Sequence, residues 1–161
     1  MGYTNYWYQY RNFTDSEWDE IKDFAYMLSD VHSGVCFFVR EKTIVINGVS
    51  KEYMCEDFVL HKHEPKPRYE GDKTYFNFCK TRELPYDKVV WKMLKFIKLI
   101  VLDPTKADFI ISNDNGDEIV SISDTITLDK NSKWYSEQFD RTYEWINNNN
   151  GTLDNLIINK N

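Results

Sequence analysis

Apolar and polar positions along this chain alternate in some stretches and recur at helical spacing in others. Residues 3–10 carry Tyr3, Tyr6, Trp7, Tyr8 and Tyr10 in an alternating, aromatic-rich run that predicts a first strand. Thr14, Asp15, Ser16 and Glu17 then form a capping box, with Phe13 placed to staple onto Trp18. Trp18, Ile21, Ala25 and Leu28 recur on one helical face with Phe24 beside them, and Ser33-Gly34 stops that helix. Residues 35–40, 42–46, 55–61 and 74–80 read as further strands, with Asn47-Gly48 as a turn and 64–72 as an exposed loop holding Pro65 and Pro67.

A second helix is predicted from Pro85 to Leu102, because Pro at a first helical turn forfeits no hydrogen bond. Its lysines Lys88, Lys92 and Lys95 fall within about 60° of one another, and Lys98 extends that stripe toward water. Asp103-Pro104 ends it. Residues 109–112 and 118–122 form a hairpin around Asn113-Asp114-Asn115-Gly116. A third helix is expected over 132–148, with Tyr135, Phe139, Thr142 and Ile146 inward, followed by a loosely attached tail over 151–161. The expected architecture is one α+β domain over 1–150: a mixed or antiparallel sheet of five or six strands carrying three helices.

Composition changes that picture little. The chain has 161 residues, 42% hydrophobic and 29% charged, which is long enough to bury a core and ordinary for a globular domain. Five Trp, 11 Tyr and 10 Phe are many for such a chain; most are expected to line the core, with some Tyr left at the surface, where a ring can stack on a planar ligand. With 20 Lys and Arg against 26 Asp and Glu, the net charge of −6 argues against general nucleic-acid binding and leaves room for a small anionic ligand. Three separated cysteines, Cys36, Cys55 and Cys79, form no CxxC pair, which points to reduced thiols in a cytoplasmic setting. The N-terminus has no secretory pattern, and the lysines within 89–102 interrupt any membrane span.

Candidate chemistry centres on Phe78-Cys79-Lys80-Thr81-Arg82-Glu83-Leu84-Pro85-Tyr86-Asp87. A strand, a short loop and a helix start place Lys80, Thr81 and Arg82 near free backbone N–H groups that favour an anion. The same residues also read as a plain helix start charged by Asp87. Tyr6 or Trp7 can stack on a planar ligand. Cys79 beside Lys80 has the setting of a lowered thiol pKa, or is simply a small buried cysteine. His61 and His63 share a face if the strand persists and, with Glu56 or Glu64, offer metal-ligand types, but a solvated strand end explains them better and no metal is expected. The oxygen-rich run 113–118 lacks the EF-hand pattern, so a turn explains it better than calcium. No glycine-rich phosphate loop is present, and no cofactor is expected.

Tyr3-Thr4-Asn5-Tyr6-Trp7, Phe13 to Trp18, Asp57-Phe58, Phe78-Cys79-Lys80-Thr81 and Pro85-Tyr86-Asp87 together resemble a family of small uncharacterised bacterial and viral proteins with the pattern YTxYW … FCKTxxxPYD. The likeness spans roughly the first 120 residues. Cys55 and Asp57 stand where that family has His and Thr, and Glu83-Leu84 replaces a small-basic pair. The resemblance implies a shared fold and surface but no reaction, and the family's distribution implies a role in conflict between virus and host. The function expected is non-enzymatic binding of a small anionic, nucleotide-like ligand by Tyr6, Trp7, Lys80, Thr81 and Arg82. The alternatives are a hydrolase or transferase using Cys79 or a carboxylate such as Glu56 or Asp87, and a protein–protein module that docks a partner or its own copy.

Overall fold

The first helix shows how literally the local signals act. In the computed structural model, which describes residues 2–64, 71 and 75–122, strand β1 (Thr4–Gln9) leads into helix α1 (Asp15–Val31). The Glu17 amide donates to the Thr14 hydroxyl at 3.2 Å, and the Thr14 amide donates back to Glu17 at 2.8 Å. Phe13 stacks on Trp18 with ring centroids 6.1 Å apart, closing the staple. Arg11 grips the same Glu17 carboxylate through both terminal nitrogens, at 2.8 and 2.9 Å. That bidentate pair holds Glu17 below the usual carboxylate range.

The strands sort into two antiparallel sheets rather than one sheet of five or six. Strands β2 (Val35–Val39), β3 (Thr43–Gly48) and β4 (Phe58–His61) form a three-stranded meander. Strands β5 (Phe76–Lys80), β6 (Phe109–Asn113) and β7 (Glu118–Ile119) join β1 in a four-stranded sheet of order β5-β1-β6-β7. Two helices are described; the third, expected over 132–148, and the tail over 151–161 lie outside the described residues.

The connection from β3 to β4, within the three-stranded sheet, is fixed locally. The chain does not turn at Asn47-Gly48; β3 runs through both, and a 3-10 turn follows at Lys51–Tyr53. Asn47 is buried and pins that detour. Its Oδ1 accepts from the Gly48 and Cys55 amides, while Nδ2 donates to the Cys55 carbonyl and the Asp57 carboxylate. Gly48 is needed because a Cβ there would lie 1.9 Å from the Tyr53 carbonyl oxygen.

Helix α2 (Asp87–Phe96) begins two residues later than Pro85 and continues as a π-helical segment, Ile97–Val101. The inner faces of both sheets and the apolar stripes of α1 and α2 meet in one core. Phe24 of α1 stacks on Phe96 of α2 at 3.8 Å, and Trp7 of β1 meets Phe58 of β4 at 4.9 Å. Lys98 does not face water as its place on the lysine stripe predicts. It is fully buried instead, with Nζ donating to the Lys106 and Val120 carbonyls at 2.7 and 2.6 Å, so the segments that follow the helix close over it. No described helix is long and apolar enough to cross a membrane.

Candidate functional site

Side chains alternate across β1, and the two faces carry opposite chemistry. Asn5, Trp7 and Gln9 point to the core, while Thr4, Tyr6 and Tyr8 point away from it. Trp7 is therefore no stacking platform: it is 2% exposed and packed on Phe58. Asn5 and Gln9 reach the core with it, and their amide oxygens find no hydrogen-bond partner among the described residues.

The outward face is where the surplus aromatics stand. Antiparallel register sets Tyr6 opposite Phe78 and Tyr8 opposite Phe76, so these four rings share one face of two neighbouring strands. Tyr6 and Phe76 stack at 6.1 Å, Tyr8 meets Phe76 at 5.1 Å, and Phe76 meets Phe78 at 5.9 Å. Tyr10 extends the array by stacking on Tyr8 at 5.8 Å with planes 7° apart, and Tyr75 meets Tyr10 at 5.4 Å. The array is open: Phe78 is 56% exposed and Tyr10 42%. Tyr6, Tyr8, Tyr75 and Phe76 are half-buried.

The polar frame of this face is asymmetric. Lys80 stands opposite Thr4, one row beyond the Tyr6–Phe78 pair, and its side chain runs over Gly2. On the other flank, Ser112 stands opposite Tyr6 and Glu118 opposite Ser112. Ile119 turns toward the core, which leaves Glu118 on the outer face and exposed. Asp114 accepts from the Thr4 amide and from the Tyr6 hydroxyl, both at 2.8 Å, which fixes the Tyr6 ring and raises its phenol above the usual range.

The expected anion cradle at the α2 start is already filled. Asp87 Oδ1 takes the Thr81 hydroxyl at 2.5 Å and the Asn5 amide at 2.7 Å, so the carboxylate itself occupies the positive helix end. Thr81 is fully buried and unavailable to a ligand. Arg82 remains exposed, in a turn where it and Glu83 both sit at φ of 56° and the Leu84 amide donates back to Thr81. Of the five predicted site residues, the structure brings Tyr6 and Lys80 onto one face with Arg82 just past its end, and removes Trp7 and Thr81.

The enzymatic candidates are tied into the fold as well. Cys79 is fully buried, its thiol donates to the Glu56 carbonyl at 3.4 Å, and burial pushes its pKa up to about 12. Glu56 accepts the Lys80 backbone N–H at 2.8 Å. The buried Tyr86 hydroxyl donates to the Glu56 carbonyl at 2.6 Å, so it too is committed to the fold. Strand β4 ends at His61, so His63 falls outside its alternation, and the described residues hold no cluster of metal-ligating side chains. The 113–118 run forms the expected turn, closed by Gly116 at φ of 84° and by Asn113 accepting from the Asn115 and Asp117 amides.

Sequence reasoning placed Phe78 in the candidate segment and Tyr8 on the first strand but gave neither a role as a stacking ring, and it did not single out Phe76 or Glu118. The signal for the rings was present, since paired strands with aromatics at alternate positions face the same way; only the β1–β5 register was lacking. Comparison with family models, curated proteins and solved structures finds no match to this chain.

Proposed function

We propose that this protein binds a small planar anion of nucleotide type, non-covalently, on the outer face of the four-stranded sheet. The observation that carries the reading is the contiguous array of exposed and half-exposed rings on β1 and β5, with Lys80 in register at its end. An exposed aromatic ring offers any base a π-face to stack on, worth about 1–3 kcal/mol per base. Lys80, with Arg82 beyond it, supplies the local positive charge that a phosphate needs on a chain of net charge −6. Sequestration of a nucleotide signal, as in virus and host conflict, is the role such a binder would fill.

Catalysis by the Cys79 thiol draws no support from this site, because that thiol is buried and held protonated. The test is a titration with AMP. Binding is expected in the wild type, at least tenfold weaker affinity in Phe78→Ala, and unchanged affinity in Phe38→Ala, a control on an exposed ring of the other sheet. Absence of binding by any anionic nucleotide, or full affinity in Phe78→Ala, would count against the reading.

A further inference from the structure

Gly2 shows which way the cation of this face leans. A Cβ on Gly2 would lie 2.8 Å from Lys80 Cε and 3.4 Å from Nζ, so the lysine chain lies against residue 2. Lys80 stands opposite Thr4, and Gly2 lies two residues before Thr4, past the start of β1. The ammonium is therefore turned away from the Tyr6–Phe78 row, toward the end of the sheet. Arg82 stands at that same end: its amide donates to the Tyr3 carbonyl at 3.2 Å, and the residue is exposed. Among the described residues, neither Lys80 nor Arg82 has a carboxylate within ion-pair distance.

Stacking surface and positive charge are thus set apart along β5. Two residues of strand, about 6.7 Å, separate Lys80 from Phe78 at the backbone, and the ammonium lies further out again. A base stacked on Phe78 and Tyr6 carries its ribose and first phosphate only as far as the Thr4–Lys80 row. Asp114 stands beside that row on the β6 side, its amide on the Thr4 carbonyl and its carboxylate taking the Thr4 amide and the Tyr6 hydroxyl. A first phosphate there meets a like charge as well as a cation, and gains little. A second and a third phosphate leave Asp114 behind and arrive where Lys80 Nζ and Arg82 are.

Resting on the proposed nucleotide reading, we infer that the ligand is a nucleoside diphosphate or triphosphate, its base on Phe78 and Tyr6 and its outer phosphates held by Lys80 and Arg82. Arginine offers a planar fork of donors and lysine a compact charge, and both bind phosphate oxygens through charge-assisted hydrogen bonds. On a chain of net charge −6, a ligand with more negative charge would bind less well without such a local pair.

The test titrates AMP, ADP, ATP and inorganic tripolyphosphate, without divalent cation, into the wild type, Lys80→Met and Arg82→Met. The wild type is expected to bind ATP at least tenfold tighter than AMP, with ADP between them. Each substitution should cut that gap at least threefold while AMP affinity changes less than twofold. Equal wild-type affinities for AMP and ATP, or a gap that either substitution leaves unaltered, would overturn the inference and leave the stacking reading standing. Tripolyphosphate binding as tightly as ATP would show the cations working without the rings and would overturn it too. Failure of every nucleotide to bind would instead remove the underlying reading. Lys80 and Arg82 are exposed, so circular dichroism of both variants should match the wild type.

Discussion

Arg82 and Glu83 hold a costly stretch of backbone. Both occupy the left-handed region, at φ of 56°, in a turn of the kind that Asn-Gly usually fills. A residue with a Cβ loses about 1–2 kcal/mol there, and glycine regains most of this while giving up about 0.5–1 kcal/mol to its freer unfolded chain. Glu83→Gly should therefore stabilise the protein by about 0.5–1 kcal/mol in urea unfolding, and a loss of stability would show that the Glu83 side chain anchors the turn. At this scale the sequence was legible wherever the signal is local: the Thr14–Glu17 box and the Asn113–Gly116 turn form as read. It was illegible where one side chain answers a distant backbone. Asn47 looked like a turn residue because its four bonds to Gly48, Cys55 and Asp57 exist only once the chain has looped back. Thr81 looked like a ligand hydroxyl because nothing in its neighbourhood announces Asn5 joining it on Asp87.

Helix α2 and its π-helical continuation illustrate the same limit at the level of an element. Helical periodicity places Lys98 with Lys88, Lys92 and Lys95, and a uniform helix would keep it in water. The segments after the helix close over it and bury it instead, Nζ donating to the Lys106 and Val120 carbonyls. There, burial pulls its pKa down to about 8, with Asp108 and Asp103 opposing the shift. Between that value and the unfolded 10.5 the unfolded chain holds the extra proton, so the protein gains stability as pH rises through this window. The gain meets an opposing loss. Burial raises Cys79 from 9.0 and Tyr3 from 10.0, each to about 12, so the neutral folded forms lose their advantage as pH climbs above 9.0 and 10.0 respectively. Thermal melts should thus show stability rising by about 1 kcal/mol from near pH 7.5 to near pH 9, then falling. Lys98→Met should remove the rise and keep the fall. A rise that persists in Lys98→Met would assign it to another group.

For the whole molecule, two antiparallel sheets and two described helices share one core, and that arrangement decides which aromatics are left outside. Composition announced that some rings would stay at the surface. It did not say which, because β1 alone offers Trp7 and Tyr6 as equals. Pairing with β5 and β6 separates them, sending Trp7 onto Phe58 and Tyr6 outward beside Phe78. The candidate site follows from register: Tyr6, Tyr8, Phe76 and Phe78 as the platform, Lys80 at one end, Ser112 and Glu118 across from it. Its central claim is most directly tested by amide chemical-shift mapping during an AMP titration of the full chain. The account predicts saturable shifts concentrated in β1, β5 and the β6–β7 hairpin, at Tyr6, Phe78, Lys80 and Ser112 above all. Shifts centred on β2 to β4 or on α1, or none at saturating AMP, would contradict it.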